Sequence, residues 1–248
     1  MGGIAQNGTV VVDGDNLIIQ GVSPNGIAIQ GEVAWVAAPW KLMTYAASQG
    51  AQQGNAASLT LDTTGCNLIV VMTAYYTPTY NLSDNMQNVW SLAINTGSFP
   101  VSDIRYCLRP TTNENHVFTL NANFQVFTVA AFRGRTNDFT PDQSQQATNV
   151  DGSPITLPGI TPTAPNTVAV TTVGHGYADA AIDSGFTIIS SFPRNSNYGM
   201  ATAYLFIPGA ASIAPTWTLT NVVSVGTTAA TLVSFNSSTD TFVRGKTK

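Results

Sequence analysis

Catalysis by side chains needs titratable or nucleophilic groups that can converge, and this chain holds few of them. His116 and His175 are the only histidines, and Glu32 and Glu114 the only glutamates. His116 sits in a turn before a strand (NENHVF) and His175 lies between two glycines after one (VGHGY), without a GxSxG elbow or other nucleophile signature beside either. Strand-end histidines are the expectation for both. Asp84, Asp103, Asp142, Asp151, Asp179 and Asp183 nearly all stand beside Gly, Ser, Asn or Pro. Turn chemistry accounts for such positions, because a short carboxylate bonds nearby backbone amides. The expectation is therefore no catalytic residue, no cofactor and no metal.

Three other chemistries have candidate residues. Asp13-Gly14-Asp15-Asn16 and Ser83-Asp84-Asn85 offer oxygen ligands for calcium but lack the spaced acids of a strong calcium loop. Cys66 and Cys107 are spaced for two buried thiols or one cross-strand disulfide, and no CxxC or Cys/His cluster points to zinc. Aromatic side chains in loops could stack on a sugar. Tyr75, Tyr76 and Tyr80 lie around YYTPTYNLSDN, Tyr177 in GHGYAD and Tyr198 in NSNYGM, which makes Tyr76, Tyr80, Tyr177 and Tyr198 the candidate glycan contacts. Trp90 and Trp217 fall inside strand patterns, where burial is the default.

The elements that must position these residues read as strands. Apolar residues alternate, or run in short blocks, between clusters of Gly, Pro, Asn, Asp and Ser, and no segment has a convincing helical period. Asn67–Tyr75 (NLIVVMTAY) is nearly all apolar, the mark of a central strand covered on both faces. About ten strands between 58 and 236 suit two sheets packed face to face. Residues 46–57 (AASQGAQQGNAA) read as a linker or a long loop, and the stretch from Gly134 to Gly152 is polar, with no strand assigned to it. Residues 1–45 form a separate β-rich segment with Asp-Gly and Asn-Gly turns and the near-repeats NLIIQG and GIAIQG. Its strands are too short to be stable alone, so it is expected to dock or to associate with sister copies. Residues 237–248 are a tail.

Only 9% of residues are charged, against roughly a quarter in an ordinary domain, and the net charge is −4. Ser, Thr, Asn and Gln must wet the surface. With no basic stripe to neutralise phosphates, nucleic-acid binding is not expected. No run reaches the roughly 20 apolar residues of a membrane span, and Met1–Asn7 has no secretory pattern, so assembly in a host cytoplasm is expected, with an extracellular or cell-surface location as the alternative.

Between Ser58 and Phe235 the succession SLTLDTTGCNLIVVMTAYY, LSDNMQNVWSLAI, RYCLRP, FTVAAFRG, TPDQS, NTVAVTTVGHG and TWTLTNVVSVGTTAATLVSF resembles a jelly-roll-like β-sandwich module of phage tail and decoration proteins and of bacterial surface proteins. Cys66 stands where that pattern often has an acid, so the resemblance implies no ion site at that turn. It implies an all-β, jelly-roll-like, two-sheet antiparallel sandwich with a short N-terminal extension. The function it implies is that of a virion structural component: tail, tail fibre or capsid decoration. Partners would be other virion proteins, further copies of the chain and a host-surface glycan. The alternative is a carbohydrate-binding module of a secreted or surface protein.

Overall fold

The computed structural model describes residues 9–13, 16–20, 40–49, 56–76, 80–97, 99–122, 125–134, 139–194, 199–224 and 226–237. The chain divides into two compact units, Met1–Ala38 and Pro39–Lys248. In the first, β1 (Thr9–Asp13) and β2 (Asn16–Gln20) form an antiparallel hairpin in which Asp13 faces Asn16 across the turn.

Among its described residues the second unit is all-β and antiparallel, and sixteen strands fall into two successive sets of eight. The first set is β3 (Lys41–Gln49), β4 (Ala57–Leu61), β5 (Leu68–Tyr75), β6 (Asn81–Asp84), β7 (Ser91–Asn95), β8 (Val101–Leu108), β9 (His116–Asn121) and β10 (Val126–Arg133). The second is β11 (Phe139–Asn149), β12 (Ile155–Thr156), β13 (Thr167–His175), β14 (Tyr177–Ile182), β15 (Thr187–Phe192), β16 (Gly199–Ile207), β17 (Thr216–Val222) and β18 (Thr228–Ser237). The first set makes a five-stranded sheet β3-β10-β5-β8-β7 and a three-stranded sheet β4-β9-β6. The second makes β11-β18-β13-β16-β15 and β12-β17-β14. Adding eight to each label of the first set reproduces the second. Within each set the order first-eighth-third-sixth opposite second-seventh-fourth is that of a jelly roll, with the fifth strand joined to the edge of the larger sheet.

The sandwich is thus doubled, and the expected two sheets are four. Phe118, Leu120, Phe127 and Val129 belong to a core between the first three-stranded sheet and its five-stranded neighbour. Trp217, Leu219, Ala169 and Val173 do the same in the second set. A third core joins the two five-stranded sheets through Leu68, Val70, Met72, Ile104 and Phe132 on one side and Val168, Val170, Ile189, Val233 and Phe235 on the other. Neighbouring residues of one strand feed different cores. Leu68, Val70 and Met72 of β5 point to the shared core, while Ile69 and Val71 point to their own module. This is why β5 and β13 are buried along their whole lengths, and why β5 reads as a nearly all-apolar run.

Contacts across the shared core join β5 to β13, β8 to β18, β10 to β16, β7 to β11 and β3 to β15. Exchanging the two modules maps this set onto itself, the pattern of a two-fold dimer interface within one chain. Polar side chains here satisfy one another. Ser102 Oγ donates to Thr172 O at 3.3 Å and lies 3.0 Å from Thr231 Oγ1, joining β8 to β18. Thr128, Ser190 and Thr202 form a hydroxyl cluster with separations of 2.6 and 2.7 Å about Ser190, joining β10 to β15 and β16.

Ala46–Gln49, read as the start of a linker, belong to β3, and the second unit begins at Pro39 instead of after residue 45. The polar stretch from Gly134 to Gly152, which carries no strand signal, contains β11, eleven residues long. Both strands are the first of their module and lie at a sheet edge, bonded on one side only, to β10 and β18. An edge strand half in solvent needs few apolar residues, so small and polar side chains disguised both.

Phe235 is fully buried in the shared core, edge-on to Tyr106 at 5.3 Å between ring centroids. Phe235→Ala is expected to cost about 3–5 kcal/mol. Val89→Ala, at a site 83% exposed, should change stability by no more than about 0.5 kcal/mol. Chemical denaturation of both variants checks the location of the core.

Candidate functional site

Titratable groups come together in two places, and an accessible cavity forms in a third. The first cluster has the composition of a nucleophile, base and orienting acid. Thr63 Oγ1 lies 3.0 Å from His116 Nδ1, and His116 Nε2 lies 3.3 Å from Asp84 Oδ1. Its geometry is that of a knot between loops. Thr63 and His116 are fully buried, and His116 stands at the start of β9, a strand-end histidine that is closed off from solvent. The Thr63 hydroxyl is 3.2 Å from Asn113 O and accepts from Asn113 N at 3.1 Å. Asp84 accepts from Met86 N at 2.8 Å, Asn88 N at 3.2 Å and Trp90 Nε1 at 2.9 Å. The His116–Asp84 pair is within ion-pair distance but lacks hydrogen-bond alignment. Stacking on Phe118 at 4.1 Å fixes the ring, and burial holds the imidazole below its ordinary pKa. The cluster fastens the turns around Thr63, Asp84 and Asn113. Asp84, a candidate calcium ligand, is already occupied by these donors.

The second cluster surrounds Asp103, which is fully buried on β8 opposite Thr73 of β5. Tyr80 donates its hydroxyl hydrogen to Asp103 Oδ1 and accepts from Arg105 Nε. The Arg105 guanidinium also lies over the Tyr80 ring, 4.6 Å from its centre, and Tyr75 meets that ring edge-on at 4.6 Å. Asp103 Oδ2 and Thr73 Oγ1 are buried without a hydrogen-bond partner. Burial pushes the Asp103 carboxyl up to about 6, although Tyr80 and Arg105 pull it down.

The cavity lies at the seam of the two modules and has a volume of about 300 Å³. Tyr76, after β5, lines it together with Phe99 and Pro100, before β8. The second module adds Gly176, between β13 and β14, Arg194, after β15, and Ser224, Gly226 and Thr227, between β17 and β18. Gly176 O accepts from Val223 N at 3.1 Å and Ser224 N at 2.9 Å. A Cβ on Gly176 would stand 2.1 Å from Ser224 O, so only glycine permits this approach. Arg194 N donates to Tyr177 O at 2.9 Å, which anchors the backbone beneath the guanidinium.

Of the aromatic candidates, Tyr76 alone lines this cavity. Tyr80 is wedged between Asp103 and Tyr75 instead of standing in an exposed loop. Tyr177 is buried among the second module's core residues. Its hydroxyl lies where a Cβ on Gly152 would fall, so it is not an exposed platform. Its segment is β14, counterpart of β6, and these two of the four edge strands of the three-stranded sheets read as loops. Tyr198 lies outside the described residues. Phe99 and Arg194 were not anticipated. An aromatic before proline in a turn (SFP) was visible, but nothing local joins it to an arginine almost a hundred residues later. Cys66 and Cys107 are free and buried, with burial raising Cys66 to about 12 and Cys107 to about 11. Among the described residues, no three His, Cys, Asp or Glu side chains group as a metal site.

His175 is buried, which lowers its pKa to about 4. Its stabilising contribution is present above the unfolded value and is lost as pH falls through 4. Asp103 has the opposite sign, because a raised carboxyl pKa stabilises below the unfolded value and that contribution disappears as pH rises through about 6. The stability difference between Asp103→Asn and the parent should therefore move in the variant's favour by about 1–3 kcal/mol from pH 4 to pH 7. Denaturant titrations at these pH values check the sign. No protein-family model, curated protein or solved structure matches the chain.

Proposed function

We propose that the protein is a structural component of a phage virion, a tail, tail-fibre or capsid-decoration protein that works by assembly and surface contact. The observation that carries this reading is the doubled jelly roll, whose modules share one continuous core. A duplicated rigid sandwich with few charges suits a part that must hold its shape in a crowded particle. The two titratable clusters are consistent with it, because each is buried and bound up with loop and strand contacts. The N-terminal hairpin, with two five-residue strands, is too small to be stable unaided and suits docking to the particle or to sister copies. On this reading the protein assembles in the host cytoplasm and its partners are virion proteins and copies of itself.

A second reading, carbohydrate binding at a secreted or cell surface, is favoured by the exposed Tyr76 and Phe99 at the seam cavity. The two readings are compatible in a component that contacts the host.

Deleting residues 1–38 should leave the thermal transition of the sandwich within a few degrees of the parent while abolishing incorporation into purified particles. Mass spectrometry of gradient-purified virions provides the readout. Equal incorporation of the truncated chain would remove the docking role, and absence of the full-length chain from particles would remove the virion reading.

A further inference from the structure

The seam cavity has a mixed lining. Tyr76 and Phe99 pack ring to ring, 4.9 Å between centroids with 34° between planes, yet remain 48% and 42% exposed. Elsewhere the large rings of this fold are mostly sealed in cores: Phe118, Phe127, Phe132, Trp217 and Phe235 are all fully buried. The same cavity is lined by Arg194, Ser224, Thr227, Gly176 and Gly226. Two exposed aromatic rings thus share one small space with a cation and with neutral hydrogen-bonding residues. At about 300 Å³ the space is at the small end of ligand pockets, which suits one ring-sized group.

We propose that this cavity binds one carboxylate-bearing pyranose unit of a surface glycan, with Tyr76 and Phe99 against the C–H face of the sugar and Arg194 paired with its carboxylate. A pyranose offers both kinds of contact. Its axial C–H bonds carry partial positive charge toward the negative face of an aromatic ring, and its hydroxyls point outward to donors and acceptors. The planar guanidinium can take a carboxylate through two parallel hydrogen bonds. A nucleotide could also stack on the rings, but among the described residues Arg194 is the only cationic one in the lining, and the chain is acidic overall. The cavity requires both modules, since the rings come from the first and the arginine from the second. The inference rests on the carbohydrate-binding reading and specifies its ligand. It is independent of whether the protein resides in a virion.

Saturation-transfer NMR on the full-length protein tests it, with D-glucuronate and N-acetylneuraminate as carboxylated probes, D-glucose as the neutral ring and acetate as the carboxylate without a ring. At least one carboxylated sugar should bind saturably, at least fivefold more tightly than glucose, with no saturable acetate signal. Tyr76→Ala and Phe99→Ala should each weaken that sugar at least fivefold. Arg194→Gln should erase the preference over glucose, and Arg194→Lys, which keeps the charge without the fork, should restore part of it. Circular dichroism confirms that each variant is folded. Failure of both carboxylated sugars to bind, or binding unchanged in all the variants, overturns the site. Equal binding of glucose and the acidic sugars with Arg194→Gln silent overturns the carboxylate assignment while the carbohydrate reading stands.

Discussion

Burial of both faces of the two five-stranded sheets is the constraint on which the rest of this structure depends. Leu68, Val70 and Met72 of β5 cannot face water, and neither can Ile69 and Val71 on the other side of the same strand. One face is covered by the module's own three-stranded sheet. The other needs a second large apolar sheet, which the second half of the chain supplies with β13, β16 and β18. Neither module could keep this face in solvent without exposing a patch of aliphatic and aromatic side chains. Covalent linkage makes their association intramolecular, and the contact pattern is nevertheless that of two equivalent partners.

The same constraint governs the polar residues. Ser102, Thr128, Thr172, Ser190, Thr202 and Thr231 sit within or beside the shared core, and their hydroxyls bond one another or backbone carbonyls. A buried hydroxyl without a partner is costly, and pairing across the seam also specifies how the sheets align. Asp103 tolerates burial because Tyr80 and Arg105 surround one of its oxygens. The Thr63, His116 and Asp84 group shows that a familiar set of residue types is not a mechanism. Its members are near one another because three turns must be tied together beneath Phe118 and Trp90. Chemistry would require the threonine hydroxyl to meet a substrate, and that hydroxyl is buried against Asn113.

Where the modules meet at the ends of their central strands, packing is incomplete. Tyr76 and Phe99 from one and Arg194 and Ser224 from the other leave a cavity that neither module contains alone. The duplicated architecture therefore has two consequences: a stiff shared core in the middle and a composite recess at its rim.

The all-β class and the central strands were legible in the amino-acid order because period-two and unbroken apolar patterns are local properties. NLIVVMTAY declares a strand buried on both sides without reference to the rest of the chain, and TVAVTTV declares a strand. The edge strands β3, β6, β11 and β14 were not legible, since strands bonded on one side and half in water carry little apolar signal. The doubling was hidden because the modules share topology while their side chains differ: Leu68 faces Phe132 and Leu108 in one ladder set, and Val168 faces Phe235 and Phe206 in the other. Loop tyrosines could be picked out as residues, but their exposure could not, because Tyr80 and Tyr177 are buried by partners distant in sequence. Local pattern determined which segments are strands. Tertiary packing alone decided which faces pair, which tyrosine stays in solvent and which arginine lines the same cavity, because those contacts join residues from some twenty to more than a hundred positions apart.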